Sequence, residues 1–225
     1  MKTPSALRLL LGLVTLLALI TVAYAGGGDL VTLKDFPDFA VAGKPLNLTF
    51  KVWVPSLDPL TNLQPVVRAK GLNGRVVKAR AEAGAAEEYT AVLNFPEPGD
   101  WVITIDTEYE GASTLPPLKV IAPGTPAPTP YSAATRGLRL FTIKGCNGCH
   151  LHEGVNDGRI YGPDLTGKRF APEYLRKFLA DPSITPAPEV VCSRDRYYCG
   201  SPYAMPNLNL KDAEIEALVA FINKK

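Results

Sequence analysis

Two cysteines and a histidine lie close together in the second half of this 225-residue chain. Cys146 and Cys149 are separated by two residues, and His150 follows directly. Two thiols at this spacing can each add to one vinyl group of the same porphyrin, and the adjacent imidazole can then reach the iron from one side. The C-x-x-C-H pattern is typical of haem attachment. The sequence therefore predicts one covalently bound haem c, with His150 as an iron ligand.

Two other uses of a C-x-x-C pair fit this sequence less well. A thioredoxin-like redox site expects a βαβ pattern, which is absent around Cys146. A structural zinc site needs four ligands. His152 and the distant pair Cys192 and Cys199 could be added, but their spacing does not match a zinc motif.

A second axial ligand follows from the few residues that could supply one. The chain contains two histidines and two methionines. His152 is too close to His150 in the chain to reach the opposite face of the same iron, and Met1 belongs to the N-terminal leader. Met205 remains, and its place in a proline-containing loop favours a ligand over a packed core methionine. His/Met ligation raises the reduction potential, so we expect outer-sphere electron transfer and not an enzyme.

Residues 131–225 resemble a class I, small bacterial cytochrome c domain. The resemblance rests on the following features: Gly137 and Phe141 in a first helix, the attachment motif, Tyr161-Gly162-Pro163-Asp164-Leu165, Met205-Pro206, and a final helix with Leu218 and Phe221. It implies an all-α fold in which the two end helices cross, with Gly137 permitting their close approach. It also implies that the carbonyl of Pro163 orients His150, since the second ring N–H of a metal-bound histidine needs an acceptor.

Further haem contacts are expected within the same domain. Leu165 belongs to the motif that carries the resemblance, and Arg169 and Tyr174 are candidate partners of the haem propionates.

The pair Cys192 and Cys199 departs from the basic pattern of the family. The lack of a following histidine excludes a second haem. In an oxidising compartment we expect a local disulfide ahead of the Met205 loop. The alternative is two unpaired buried thiols.

The N-terminus has the features of an export signal. Residues 1–25 begin with Lys2 and Arg8, continue with an uncharged run from Leu9 to Ala25, and end on Ala23-Tyr24-Ala25, a pattern for signal peptidase. The run is also just long enough for a membrane helix. Both a cleaved signal peptide and a retained anchor export the rest of the chain, to the periplasm or the outer face of the cytoplasmic membrane.

Residues 28–121 are predicted to form a β-sandwich. Strict apolar alternation occurs over Leu46–Val54, Tyr89–Phe95 and Trp101–Ile105, and Asn73-Gly74 is typical of a hairpin turn. Roughly seven short strands at this spacing suit an Ig-like fold. The segment around Pro96–Trp101 resembles small exported domains of the YtkA/FixH type. The whole predicted β domain contains no Cys, His or Met, so we expect no copper centre in it.

A proline-rich linker, residues 122–130, separates this domain from residues 131–225 and is expected to be an extended spacer. In the second domain, apolar spacing predicts helices over Ser132–Lys144, with Ala134, Leu138 and Phe141 on one side, over Pro172–Ala180, and over Lys211–Asn223. The predicted class is a multidomain protein with an all-β sandwich followed by an all-α cytochrome c domain.

A net charge of +2 gives no strong basic field, so nucleic acid is not an expected partner. We expect redox partner proteins, respiratory or photosynthetic, within membrane complexes. Two alternatives remain: a fixed haem subunit of a membrane oxidase or reductase complex, and a haem-based sensor, which Met205 argues against.

Overall fold

This computed structural model describes residues 29–54, 58–109, 111–155, 162–184 and 205–224. The N-terminal leader and the Cys192–Cys199 pair lie outside the described residues, so both stay expectations. None of the helices in the described ranges is long and apolar enough to cross a membrane.

Ten strands in the described part of the chain form two sheets. One sheet has the order β1-β3-β7-β6, and the other has β2-β10-β8-β4-β5, with β9 paired to β8. Neighbouring strands are antiparallel except β2 and β10, which run parallel. The strands are β1 (Leu30–Leu33), β2 (Phe39–Val41), β3 (Pro45–Trp53), β4 (Val66–Gly71), β5 (Val76–Arg80), β6 (Glu82–Ala83), β7 (Tyr89–Asn94), β8 (Gly99–Asp106), β9 (Ala112–Thr114) and β10 (Leu118–Ile121).

The apolar alternation of the sequence faces the space between the two sheets. Because successive side chains of a strand point to opposite faces, every second residue enters the core. Strands β3, β7 and β8 fill most of it, through Leu48, Phe50, Val52, Tyr89, Ala91, Leu93, Trp101, Ile103 and Ile105. The predicted hairpin is present between β4 and β5, with Gly74 at a φ of 86°. The all-β character of this region is therefore as predicted, in ten strands where roughly seven were expected.

Three α-helices among the described residues of the second domain form its core. They are α1 (Ala133–Ile143), α2 (Pro172–Ala180) and α3 (Asp212–Ile222). The hydroxyl of Ser132 caps α1 by accepting from the backbone N–H of Thr135. Pro172 begins α2, where its missing N–H costs nothing. Five large apolar residues of α3 are buried, namely Ile215, Leu218, Val219, Phe221 and Ile222.

The apolar face predicted for α1 is partly wrong. Phe141 is buried, but Leu138 is 38% exposed. Helix α1 is instead buried on two sides, because it packs against α3 through Gly137 and Phe141 and against the β domain through Ile143. Leu138 lies on neither side.

The two domains touch, which differs from the expected separation by an extended spacer. The segment after β10 turns at once: the N–H of Thr125 donates to the carbonyl of Ala122 at 3.1 Å, with Pro123 and Gly124 between them and Gly124 at a φ of 79°. These residues suit a type II turn. Beyond the turn, α1 returns to the sandwich, and the side chain of Ile143 enters the β core.

Candidate functional site

The two attachment cysteines and His150 lie on one tight turn. After α1, Gly145 adopts a left-handed conformation with a φ of 72°, and a 3-10 turn follows over Cys146–Gly148. The backbone N–H of His150 donates to the carbonyl of Cys146 at 2.8 Å. Neither Cys146 nor Cys149 is in a disulfide. The turn therefore holds two thiols and an imidazole close together, as attachment to one porphyrin requires.

Burial raises the pKa of the Cys146 thiol to about 12. A thiol with so high a pKa stays protonated at neutral pH, whereas C-x-x-C redox sites lower the thiol pKa to expose a thiolate.

His150 is held by the residue that the resemblance implied. Its Nδ1–H donates to the carbonyl oxygen of Pro163 at 2.9 Å. Because a carbonyl can only accept, the proton is on Nδ1, and in the neutral ring the lone pair is on Nε2. Nε2 is thus the nitrogen prepared for a metal, with its orientation set by a backbone acceptor.

Gly162 is a site residue to which the sequence analysis gave no role. A Cβ at this position would lie 2.4 Å from Cε1 and 2.7 Å from Nδ1 of His150. The N–H of Gly162 also donates to the carbonyl of Cys149 at 2.7 Å. The loop before Pro163 therefore lies flat against the imidazole, and only glycine permits that approach. The Gly-Pro dipeptide at 12 and 13 residues after the histidine of the C-x-x-C-H motif was the available signal.

The remaining predicted haem contacts differ in their surroundings. Leu165 is buried, and its N–H donates to the carbonyl of Leu151 at 2.8 Å. Tyr174 is half-buried and stacks between Phe170 and Phe178. Arg169 is exposed. The structure thus brings Leu165 and Tyr174 to the apolar core of the domain and leaves Arg169 at its surface.

Met205 lies at the same apolar core as Cys146. The core is formed by twelve buried side chains of α1, α2, α3 and the loop at Leu165–Phe170, and both Met205 and Cys146 pack against it. A thioether and an attachment cysteine thus border one water-poor region, which is the environment that a porphyrin ring needs.

His152 is used structurally. It is 1% exposed, its Nε2–H donates to the carbonyl of Phe221 at 3.2 Å, and its ring packs edge-on against that of Phe221. It therefore ties the attachment segment to α3. Among the residues described, no group of three or more His, Cys, Asp and Glu side chains is placed to hold a metal ion.

The crossing of α1 and α3 depends on Gly137. A Cβ on Gly137 would lie 2.0 Å from the carbonyl oxygen of Ala217 and 2.6 Å from Cβ of Phe221. The backbones of the two helices are thus in direct contact, as the resemblance implied. This contact sets the position of the segment that follows α1, which carries the attachment turn.

Comparison with known sequences agrees with this geometry. Residues 134–225 match the sequence model of the Cytochrome c family, and this part of the chain is a cytochrome c domain. The cofactor of this domain is haem c, attached covalently. No curated protein matches the chain.

Comparison with solved structures gives only remote similarities. The chain is similar to native E. coli alpha-2-macroglobulin, with 18% identity and a TM-score of 0.34, over 50% of this chain and 8% of that one. It is similar to domains 4 and 5 of the S-layer protein SbsC, with 14% identity and a TM-score of 0.29, over 41% and 51% of the chains. It is also similar to a conjugative transposon lipoprotein from Bacteroides eggerthii, with 11% identity and a TM-score of 0.25, over 40% and 95% of the chains. The chain spans about half or less of the length of the first two.

Proposed function

We propose that this protein is an exported carrier of single electrons between redox partner proteins at the outer face of the cytoplasmic membrane, with His150 and Met205 as axial ligands of its haem. The observation that supports it most is the 2.9 Å hydrogen bond from His150 Nδ1 to the carbonyl of Pro163, immediately after the attachment cysteines. A histidine held in this tautomer offers Nε2 to iron.

The residues of the site hold the haem and exclude water and small molecules from it. When bound, the haem supplies a one-electron iron couple. His150, oriented by its bond to Pro163, and Met205 would both hold the haem iron, and this ligation would close the iron to small molecules and raise the potential. The apolar core around Leu165 excludes water, which also raises the potential.

The test is Met205→Ala in the full-length holoprotein. Loss of the thioether should lower the midpoint potential and let carbon monoxide bind to the reduced protein, while the parent does not bind it. A redox titration of the parent should follow a one-electron curve. An unchanged spectrum and potential in the variant would show that another residue is the ligand, and ready binding of carbon monoxide by the parent would favour a sensor.

A second candidate is a fixed haem subunit of a membrane oxidase or reductase complex. The packing of α1 against the sandwich favours it, because a haem domain that rests on a β domain has less freedom than one on a spacer. Mild solubilisation of native membranes separates the two candidates. A carrier should elute alone, whereas a subunit should elute with large partners in a constant ratio. Fractionation of the cells tests the exported location.

A further inference from the structure

Two of the contacts between the β domain and the haem domain lie at positions in the chain that flank the haem ligands. The first is Lys144-Gly145, directly before Cys146. The second is Lys211, which follows the Met205 loop and begins α3. One contact thus lies just before the attachment turn that carries His150, and the other lies just after the loop that carries Met205.

The first contact is a close approach of backbones. A Cβ on Gly145 would lie 2.8 Å from Cδ1 of Leu30 and 3.0 Å from the carbonyl oxygen of Val31, both in β1. Strand β1 therefore packs directly on the residue before Cys146. Any shift of β1 would be transmitted to the attachment turn.

Lys144 connects three elements through a buried ammonium. Its side chain is 6% exposed. Nζ donates to the carbonyl of Lys34 in the β domain at 2.8 Å and pairs with Oε1 of Glu214 in α3 at 3.0 Å. Oε2 of Glu214 accepts from the backbone N–H of Lys211 at 3.0 Å. A buried charge is retained only when it is paired and hydrogen-bonded, so this arrangement fixes the β domain, the end of α1 and the start of α3 together.

The second contact is weaker by itself. Nζ of Lys211 donates to Oδ1 of Asp35 at 2.6 Å, but both side chains are about two-thirds exposed, and exposed pairs contribute little. Of these two lysines, Lys144 must therefore contribute more to holding the β domain and the haem domain together.

The C-terminal part of the Met205 loop faces the β domain between these two contacts. A pocket of about 400 Å³ separates them and is lined on the loop side by Asn207, Leu208 and Asn209. Its other wall is formed by residues of β1 and β3, including Thr32 and Trp53. The loop therefore runs along an open space and is held at its end, at Lys211.

We propose that the β domain braces the haem site, and that Lys144 is the positioning residue that fixes the Met205 loop relative to the attachment turn. This inference rests on the proposed function, in which Met205 ligates the iron. It gives the β domain a role inside the electron-transfer unit. The reduction potential then depends on a residue that does not touch the haem ligands.

The experiment compares full-length holoproteins: parent, Lys144→Met, the double variant Lys144→Met with Glu214→Gln, and Lys177→Met. The double variant leaves no unpaired buried charge, so it keeps the test valid if the single variant misfolds. Lys177 is exposed on α2, and its substitution changes the charge of the haem domain by the same amount as Lys144→Met. The double variant keeps the net charge of the parent, so the parent is its reference. Heating is followed by the Met–iron charge-transfer band and by far-ultraviolet ellipticity.

In both Lys144 variants the band should disappear at a clearly lower temperature than the helical signal. The midpoint potential of Lys144→Met should fall below that of Lys177→Met, and the potential of the double variant should fall below that of the parent. The proposal is overturned if the band and the ellipticity are lost together as in the parent, or if the potential equals that of the control. Absence of the band from the parent would instead refute Met205 as a ligand, and the brace would fall with it.

Discussion

At the scale of single residues, backbone atoms determine most of the haem site. The carbonyl of Pro163 fixes the tautomer of His150, and the missing side chain of Gly162 makes room for the imidazole. The resemblance to the cytochrome c family implied that Pro163 orients His150, although it did not specify the tautomer. The role of Gly162 could not be predicted, because it depends on how closely two loops approach, and local composition does not encode that distance.

Gly162→Ala should therefore disturb the histidine ligand. The added methyl group would overlap the ring of His150 and force it to turn away from Pro163. We expect a lower yield of protein with a normal low-spin haem spectrum and a lower midpoint potential. The control is Gly84→Ala, where a Cβ meets nothing closer than 3.5 Å. A normal spectrum and potential in Gly162→Ala would contradict the assignment.

At the scale of elements, alternation and helical spacing predicted the long elements well. All four positions from Tyr89 to Phe95 that should be buried are buried, and α2 has the bounds that the sequence indicated. Strands of two to four residues, such as β6 and β9, are too short to show a period. The exposed Leu138 shows a second limit, because helical spacing does not say how many neighbours a helix has.

Gly137→Ala tests the contact between α1 and α3. In an exposed helix this change stabilises by roughly 0.5–1 kcal/mol, because alanine loses less entropy on folding. Here the methyl group would strike the carbonyl of Ala217, so we expect destabilisation by about 1–3 kcal/mol, as in other overpacked cores. Denaturant unfolding measures the sign. Leu138→Ala on the same helix is the control and should change the stability little. A more stable Gly137→Ala protein would contradict the close crossing.

At the scale of the whole molecule, side chains of the haem domain pack against the β domain. Arg139 of α1 is 9% exposed, donates to the carbonyl of Pro117, and lies over the ring of Phe36. The sequence indicated the boundary at residues 122–130 but not the packing across it, since nothing in a helical stripe identifies which core receives Ile143.

Ile143→Ala should show that sharing directly. It removes a buried side chain of α1 from the core of the sandwich, so we expect a loss of about 2–5 kcal/mol in the free energy of unfolding. Fluorescence of Trp101, buried in the same core, should report a lower midpoint. A sandwich whose unfolding is unaffected would show that the domains are independent.

The Asp35–Lys211 pair should depend on pH. The hydrogen bond from Lys211 lowers the pKa of Asp35 below its ordinary value of 3.8. A carboxyl with a lowered pKa stabilises the folded state above its unfolded pKa, and this contribution is lost as the pH falls through the folded pKa. The parent should be slightly more stable than Asp35→Asn at pH 7, and the difference should vanish as the pH falls below the lowered pKa of Asp35. Thermal midpoints over this range provide the measurement, and a constant difference would exclude the pair as its source.

The position of Ile143 also limits how this gene can be recombined. A fusion that cuts the chain at the proline-rich segment would separate two domains that pack together. The sandwich would then keep a cavity in place of Ile143, and the excised haem module would expose an isoleucine and a normally buried lysine to water. We therefore expect a transplanted haem module to aggregate unless Ile143 is redesigned, so the two domains should be transferred together.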